Sequence, residues 1–174
     1  KGRFIHENCL RLRDGMEYAK QINADVAVVS TDYSKAYDLV QHDPLFAIAK
    51  RIGGDGYSQW LRTMYTGHQR FIVANGVISP PVKLLSGVPQ GCCHACQAFL
   101  IFIEGLAHRI RGNVAIRGLE MPDGSVLLDI RYADDCQYVV HADTLEMLLD
   151  VIDGWADEVG MKLNETKTEA AWWG

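Results

Sequence analysis

No apolar run in the 174 residues approaches the ~20 needed for a helix to cross a bilayer, and no secretory signal peptide is visible, so no membrane partner is expected. Repeats and low-complexity tracts are missing too, which excludes solenoid and linker architectures. The chain lacks an even cysteine framework. It has five cysteines, three of them at Cys92, Cys93 and Cys96, which fits a reducing compartment better than a set of disulfides. Positive charge is also short. Lys and Arg number 17 against 22 Asp and Glu, a net charge of −5, the wrong sign for a surface that grips phosphates. That objection weakens if several acids belong to a site, others lie on solvated helix faces, and basic neighbours lie elsewhere. What the chain does have is 48% hydrophobic residues, ample for the core of one compact domain or one domain with a small annex. It starts at Lys1-Gly2-Arg3 and stops at Trp172-Trp173-Gly174, so it reads as a piece of something longer.

The elements follow from periodicity and punctuation. Ile5, Cys9, Leu12, Met16 and Ala19 recur at helical spacing, and the aliphatic run from Val26 leads to Asp32 as a strand. Asp43 reads as an N-cap with Pro44 at the first helical position, and Gly53-Gly54 is expected to stop that helix. A second helix carries Tyr57, Trp60, Leu61, Met64 and Tyr65 up to Gly67. Asn75-Gly76 between apolar runs signals a hairpin. The loop Gly87-Val88-Pro89-Gln90-Gly91 leads into a long apolar helix from about Cys93 to Ile110. A further helix runs through Leu145, Leu148, Leu149, Ile152 and Trp155 to Gly160, and a last strand or two lies between Met161 and Trp173.

The most informative stretch is Tyr132-Ala133-Asp134-Asp135, with aliphatic runs on both sides. This is the pattern of a tight hairpin carrying adjacent carboxylates at its tip. Setting aside an insertion at 33–91, the remaining order is β, α, β, β, α, β, the split βαβ arrangement with helices on one face of a four-stranded antiparallel sheet. Its central strands would be the one ending at Asp32 and the Asp134 hairpin, which brings the acids to one edge. Like charges ~4 Å apart repel by roughly 4 kcal/mol at an effective dielectric of 20, so the cluster asks for a cation. Paired divalent ions on carboxylates are the machinery of phosphoryl and nucleotidyl transfer.

Four segments carry a family resemblance. Asp32-Tyr33-Ser34-Lys35-Ala36-Tyr37-Asp38, Gly87-Val88-Pro89-Gln90-Gly91, Tyr132-Ala133-Asp134-Asp135 and Gly160-Met161-Lys162-Leu163-Asn164-Glu165-Thr166-Lys167-Thr168 resemble four successive reverse transcriptase motifs. Their order and wording are most similar to the non-LTR (LINE-type) retrotransposon branch, and Gly2 to Asn8 resembles the fingers segment that precedes them. The resemblance covers nearly the whole chain. Each motif alone is weak; four in order are highly specific.

The resemblance implies an α+β right-hand polymerase palm with part of the fingers. Residues 1–174 would form the fingers/palm core, 33–91 being largely the fingers-type insertion, with the thumb absent. It implies an RNA-directed DNA polymerase that adds deoxynucleotides to a primer on an RNA template with two Mg²⁺ ions, for which Mn²⁺ can substitute. Asp32 and Asp134 would be the metal-binding carboxylates, with the carbonyl of Tyr33 completing one sphere and Asp135 as the third acid. The amides around Ala36 would meet the triphosphate, the Tyr37 ring would lie under the sugar, and Gln90 and Gly91 would face nucleotide and template. Lys167 would lie near the triphosphate end, and Arg3 corresponds to a fingers arginine. Expected partners are the RNA template, DNA primer, dNTPs and the C-terminal segments of a larger polyprotein, in the nucleus and cytoplasm.

The chain departs from the family after Gly91, where Cys92-Cys93-His94-Ala95-Cys96-Gln97 stands in place of a Pro-Leu-Ser-Pro-like stretch. Three thiols and an imidazole invite a zinc reading; the alternative is small residues at the start of a packed helix. Other residues also have plainer alternatives. Asp134 and Asp135 could be turn-formers, Asp38 a local cap, Tyr37 a core aromatic, Gln90 a brace of its own loop and Lys167 an exposed structural lysine. His42, His68, His108 and His141 show no partners in sequence, and Trp172-Trp173 is expected to pack on the palm or against a further segment. Competing readings are a decayed copy that binds nucleic acid or protein, and an RNA-templated RNA polymerase or nucleotide cyclase on the same topology. Tyr37 and Tyr132-Ala133 disfavour the last two.

Overall fold

The computed structural model describes residues 5–67, 69–132 and 135–173. Helix α1 (Ile5–Gln21) precedes strand β1 (Val26–Thr31). A single turn, α2 (Ala36–Leu39), and a long helix, α3 (His42–Tyr65), follow. Short strands β2 (Gln69–Arg70), β3 (Val73–Ala74), β4 (Val77–Ile78) and β5 (Val82–Lys83) lead to α4 (Ala95–Gly112). Then come β6 (Leu119–Glu120), β7 (Val126–Leu127), β8 (Asp129–Tyr132), β9 (Asp135–His141), α5 (Leu145–Val159) and β10 (Glu169–Trp173). The chain divides into two compact units, Lys1–Ser34 with Leu106–Gly174, and Lys35–Gly105.

The first unit is built on a four-stranded sheet of order β10-β1-β9-β8, antiparallel at every junction. This is the split βαβ order, with β1 and β9 central. In β1 every residue but Ser30 is buried, as expected of a strand covered on both faces. Alternation sends Val26 and Val28 to one face, where they join Ala19, Leu127, Ile130 and Val139, with Leu12 and Met16 of α1 packed against them. On the other face Tyr33, just past β1, meets Trp155 of α5 edge-on at 6.4 Å. The apolar stripe of α5 is Leu145, Leu148, Ile152, Trp155, Ala156 and Val159, all buried. Gly160 ends that helix in the left-handed region (φ 72°), its amide reaching the carbonyls of Ala156 and Asp157.

In the second unit α3 begins at His42, with Gln41 before it, so Asp43 is not its cap. Asp43 lies in the first turn instead, where a carboxylate suits the positive helix end. The early start has a cause: His42 Nε2 lies 2.9 Å from the Gly87 carbonyl, and its ring packs on Phe46 and Tyr65. His42 therefore has the partners that its sequence context did not reveal. Gly54 breaks the helical path at φ 79°, ψ −179°, so the expected stop appears as a break between two helical stretches. The hairpin at Asn75-Gly76 forms between β3 and β4, and β2 pairs with β5 outside it.

Three elements depart from the sequence reading. A second small hairpin, β6–β7, turns at Pro122-Asp123-Gly124 between strands only two residues long. The long helix starts at Ala95 rather than Cys93. Trp172 and Trp173 end the edge strand β10, opposite Ala27 and Val26, and are 62% and 39% exposed, so of the two expectations packing on the palm is not met and packing against a further segment is left open.

Candidate active site

Strand pairing sets the site. The β1–β9 register ends at Thr31 opposite Cys136, and one step further along the two strands stand Asp32 and Asp135. The two acids therefore lie at the same end of the paired strands, Asp32 just past β1 and Asp135 at the start of β9. Both side chains line a cavity of about 490 Å³ in the first unit. Asn8 and Cys9 of α1 also line it, as do Ser30 and Thr31 of β1, Tyr132 and Gln137 of the hairpin, and Lys167. The hairpin is closed by the pair Tyr132–Asp135. Asp134, like Arg3, lies outside the described residues.

Asp32 is held from the segment that follows α5. Ser34 N–H donates to the Lys162 carbonyl (2.9 Å), Tyr33 bridges Leu163, and Asn164 N–H donates to the Asp32 carbonyl (2.8 Å). This makes a short antiparallel extension beside Asp32–Ser34. The Asn164 side-chain amide donates to Asp32 Oδ2 at 3.1 Å, and the Lys167 ammonium lies 3.6 Å from the same oxygen. The Asp32 side chain is 25% exposed and that of Lys167 66%, so the pair is weak but close to the acid. Below the hairpin, Arg111 grips Asp129 with two bonds (3.0 and 2.7 Å), and Arg131 adds a third at 2.9 Å.

Tyr33 is 3% exposed, and burial pushes its phenol well above the ordinary value. Tyr138, fully buried on β9, is raised for the same reason. Both are neutral at any physiological pH.

Ala36, Tyr37, Gln90 and Gly91 belong to the second unit. Ala36 is buried at the start of α2, after Lys35 in the left-handed region (φ 51°). Tyr37 is half-buried, its ring stacked on Phe99 at 4.9 Å and 23°. Its carbonyl accepts from Val88 N–H, and that of Val40 from Gly87 N–H, both at 2.8 Å. A Cβ at Gly87 would lie 3.0 Å from the Asp38 carbonyl oxygen, so only glycine allows this approach. The loop is thus bonded to the turn bearing Tyr37, and it presents Gln90 and Gly91 to solvent.

The cavity could hold a hard cation: it offers carboxylate, hydroxyl and amide oxygens, and its two acids gain from an intervening positive charge. Among the described residues no group of three or more His, Cys, Asp or Glu is arranged to hold a metal, so Cys92, Cys93, His94 and Cys96 form no zinc site there. His94 instead meets the Trp60 ring edge-on at 5.1 Å. Asn164, Asn8, Cys9 and Gln137 were not singled out in the sequence. Asn164 lay inside a quoted motif, three residues before Lys167; the others need the packing of α1 and the hairpin register to be seen.

Comparisons with known proteins agree with this geometry. Residues 2–173 match the family described as reverse transcriptase (RNA-dependent DNA polymerase). The "Transposon TX1 uncharacterized 149 kDa protein" of Xenopus laevis is 30% identical over 135 residues, 77% of this chain and 10% of that protein. The "RNA-directed DNA polymerase from mobile element jockey" of Drosophila funebris is 27% identical over 143 residues, 78% of this chain and 15% of its own. The chain thus spans a small part of both relatives. Among solved structures, apo telomerase from Candida tropicalis, truncated from its C-terminal domain, superposes with a TM-score of 0.76. The match has 14% identity and covers 99% of this chain and 36% of that one. Telomerase from Candida albicans, in complex with a telomeric RNA fragment, gives 0.73 at 11% identity, covering 97% and 31%. Those likenesses show the fold, a palm with part of the fingers, and with the family match they settle kinship: the chain belongs to the reverse transcriptase (RNA-dependent DNA polymerase) family.

Proposed function

We propose that this chain is the polymerising core of an RNA-directed DNA polymerase from a non-LTR retrotransposon, adding dNTPs to a primer 3′-hydroxyl on an RNA template. One observation carries the reading: Asp32 and Asp135, a hundred residues apart in the chain, line one cavity at the end of the central strands, with Lys167 beside Asp32. In this reading Asp32, Asp134, Asp135 and the Tyr33 carbonyl hold two divalent cations, magnesium with manganese as substitute. When bound, these supply Lewis acidity and charge neutralisation at the primer hydroxyl and the triphosphate. Asp32 would orient them from a braced position, and Lys167 would meet charge developing on the leaving phosphates. The second unit would serve as the fingers-type part, with the Ala36 and Tyr37 amides toward the triphosphate, the Tyr37 ring under the sugar, and Gln90 and Gly91 toward nucleotide and template. Catalysis is then mainly positioning and electrostatics.

The test is primer extension on RNA and DNA templates by the longer protein containing this chain, with Mg²⁺ or Mn²⁺, against its Asp32→Asn variant. Extension on RNA that disappears with Asp32→Asn is expected. Extension surviving in Asp32→Asn would remove the metal assignment. No extension by the parent would make the chain a binding module derived from the family.

A further inference from the structure

We infer that Asn164 is a positioning residue that fixes which oxygen of Asp32 is offered to a cation, and that Thr166 fixes Asn164 in turn. The inference rests on the metal reading of Asp32 proposed above, and everything it uses lies in the first unit.

Asn164 meets Asp32 twice, through backbone (N–H to carbonyl, 2.8 Å) and through side chain (Nδ2 to Oδ2, 3.1 Å). An ionised carboxylate only accepts, so the group facing Oδ2 must be the amide NH₂, and Asn164 Oδ1 must point the other way. There it accepts from the Thr166 hydroxyl at 2.8 Å. The Asn164 carbonyl takes the amides of Lys167 (3.0 Å) and Thr168 (2.9 Å), which closes the turn that also carries Lys167 to Oδ2. Every polar atom of Asn164 is therefore engaged. Among the described residues, the partners of the Asp32 carboxylate are Asn164 and Lys167, both on Oδ2. Oδ1 is the oxygen left to a cation.

Smaller, charged or apolar side chains do not do this at position 164. Asp would set a second negative charge against Asp32, Ala or Leu would leave Oδ2 to the exposed Lys167 alone, and Ser lacks the reach and the separate acceptor for Thr166. Partners that orient metal-binding groups typically alter affinity by about 10- to 100-fold when removed.

The test is Mn²⁺ binding to this chain, followed by the electron paramagnetic resonance signal of free Mn²⁺, with thermal melts recorded without metal. Asn164→Ala should weaken binding by about 10- to 100-fold. Asn164→Asp should weaken it at least as far, Thr166→Val less but in the same direction, and Thr166→Ser should restore the parent's affinity. Because Thr166 is exposed, its variants should melt with the parent. A fall in affinity without a fall in melting temperature then separates positioning from a merely structural role. If Asp32→Asn loses Mn²⁺ while the Asn164 and Thr166 variants bind like the parent, the positioning role is wrong and the metal reading stands. If the parent and Asp32→Asn bind alike, or neither binds, the metal reading falls and takes this inference with it. Should Asn164→Ala fail to fold, Thr166→Val decides alone, and parental affinity there overturns the proposal.

Discussion

Tyr37 presents one face to Phe99, with ring centroids 4.9 Å apart and planes 23° from parallel, so its ring is held rather than free to swing. A site that makes DNA must reject ribonucleotides, which differ by one hydroxyl. Rejection by a rigid ring beneath C2′ needs no hydrogen-bonding partner. Shortening Tyr37 to Ala or Val should leave deoxynucleotide addition partly intact and sharply raise ribonucleotide incorporation, read as the ratio of kcat/KM values in the longer protein. Unchanged discrimination in Tyr37→Ala would make Tyr37 a packing residue of the Phe99 cluster. Buried phenols give a second residue-scale test. Burial raises Tyr33 and Tyr138 well above their ordinary value and Tyr65 up to about 12. The unfolded chain releases these protons near pH ~10, so the folded form holds protons that the unfolded form has lost. Their contribution is intact below pH ~10 and is lost as pH climbs toward the folded values. Melting temperature should therefore drop steeply above pH ~10, and less steeply in Tyr138→Phe. Equal slopes would show that the phenol does not drive the alkaline loss. Of the cavity residues, Asp32, Asp135 and Lys167 were legible from their motifs, whereas Asn164, which braces Asp32, became visible only through its bonds to it.

At the scale of elements, the segment after α5 decides how Asp32 is held, and Gly160 decides where that segment starts. With φ 72° and ψ 22°, Gly160 turns the chain so that Met161 N–H reaches the Ala156 carbonyl at 2.8 Å and residues 162–164 run beside Asp32–Ser34. A side chain in that conformation costs about 1–2 kcal/mol. Gly160→Ala should lower stability by about that amount in urea denaturation. It should also reduce hydrogen-exchange protection at the amides of Ser34 and Asn164, and loss confined to the end of α5 would show that the bracing segment is independent of its cap. Elements with strong local signals were legible: the period of α5, the Asn75-Gly76 turn, the two strands that carry acids. Others depended on distant contacts. The start of α3 is shifted by the contact of His42 with Gly87, which sequence spacing does not reveal. The β6–β7 hairpin has the dipeptide Asp123-Gly124, but its strands are two residues long and their alternation is too short to read.

Across the whole molecule, the net charge of −5 conceals a division. Lys35–Gly105 carries six Lys and Arg against four Asp and Glu, leaving eleven against eighteen for the other unit. From residue 56 to 103 there is no acid at all, while Arg62, Arg70 and Lys83 stand exposed there. The total hides this division, because the acids gather in the unit that bears the candidate cation site. A nucleic acid approaching the chain would find its cations free of neighbouring acids in this stretch of the second unit. Each phosphate neutralised contributes about −0.9 to the slope of log affinity against log salt on a duplex. Contact with these three cations alone sets a slope no steeper than about −3, and hence weak binding at physiological salt. Fluorescence anisotropy of a labelled primer–template, titrated with this chain over a range of salt concentrations, measures both. Binding should be weak with a shallow slope, and the combined Arg62→Glu, Arg70→Glu, Lys83→Glu variant should abolish what remains. A variant with charge reversed at Arg11, Arg13 and Lys20 of α1, in the acidic unit, should bind as the parent does. Tight binding with a slope far steeper than three contacts allow, or loss caused by the α1 reversals instead, would place the nucleic-acid surface on the acidic unit and overturn this account of its charge.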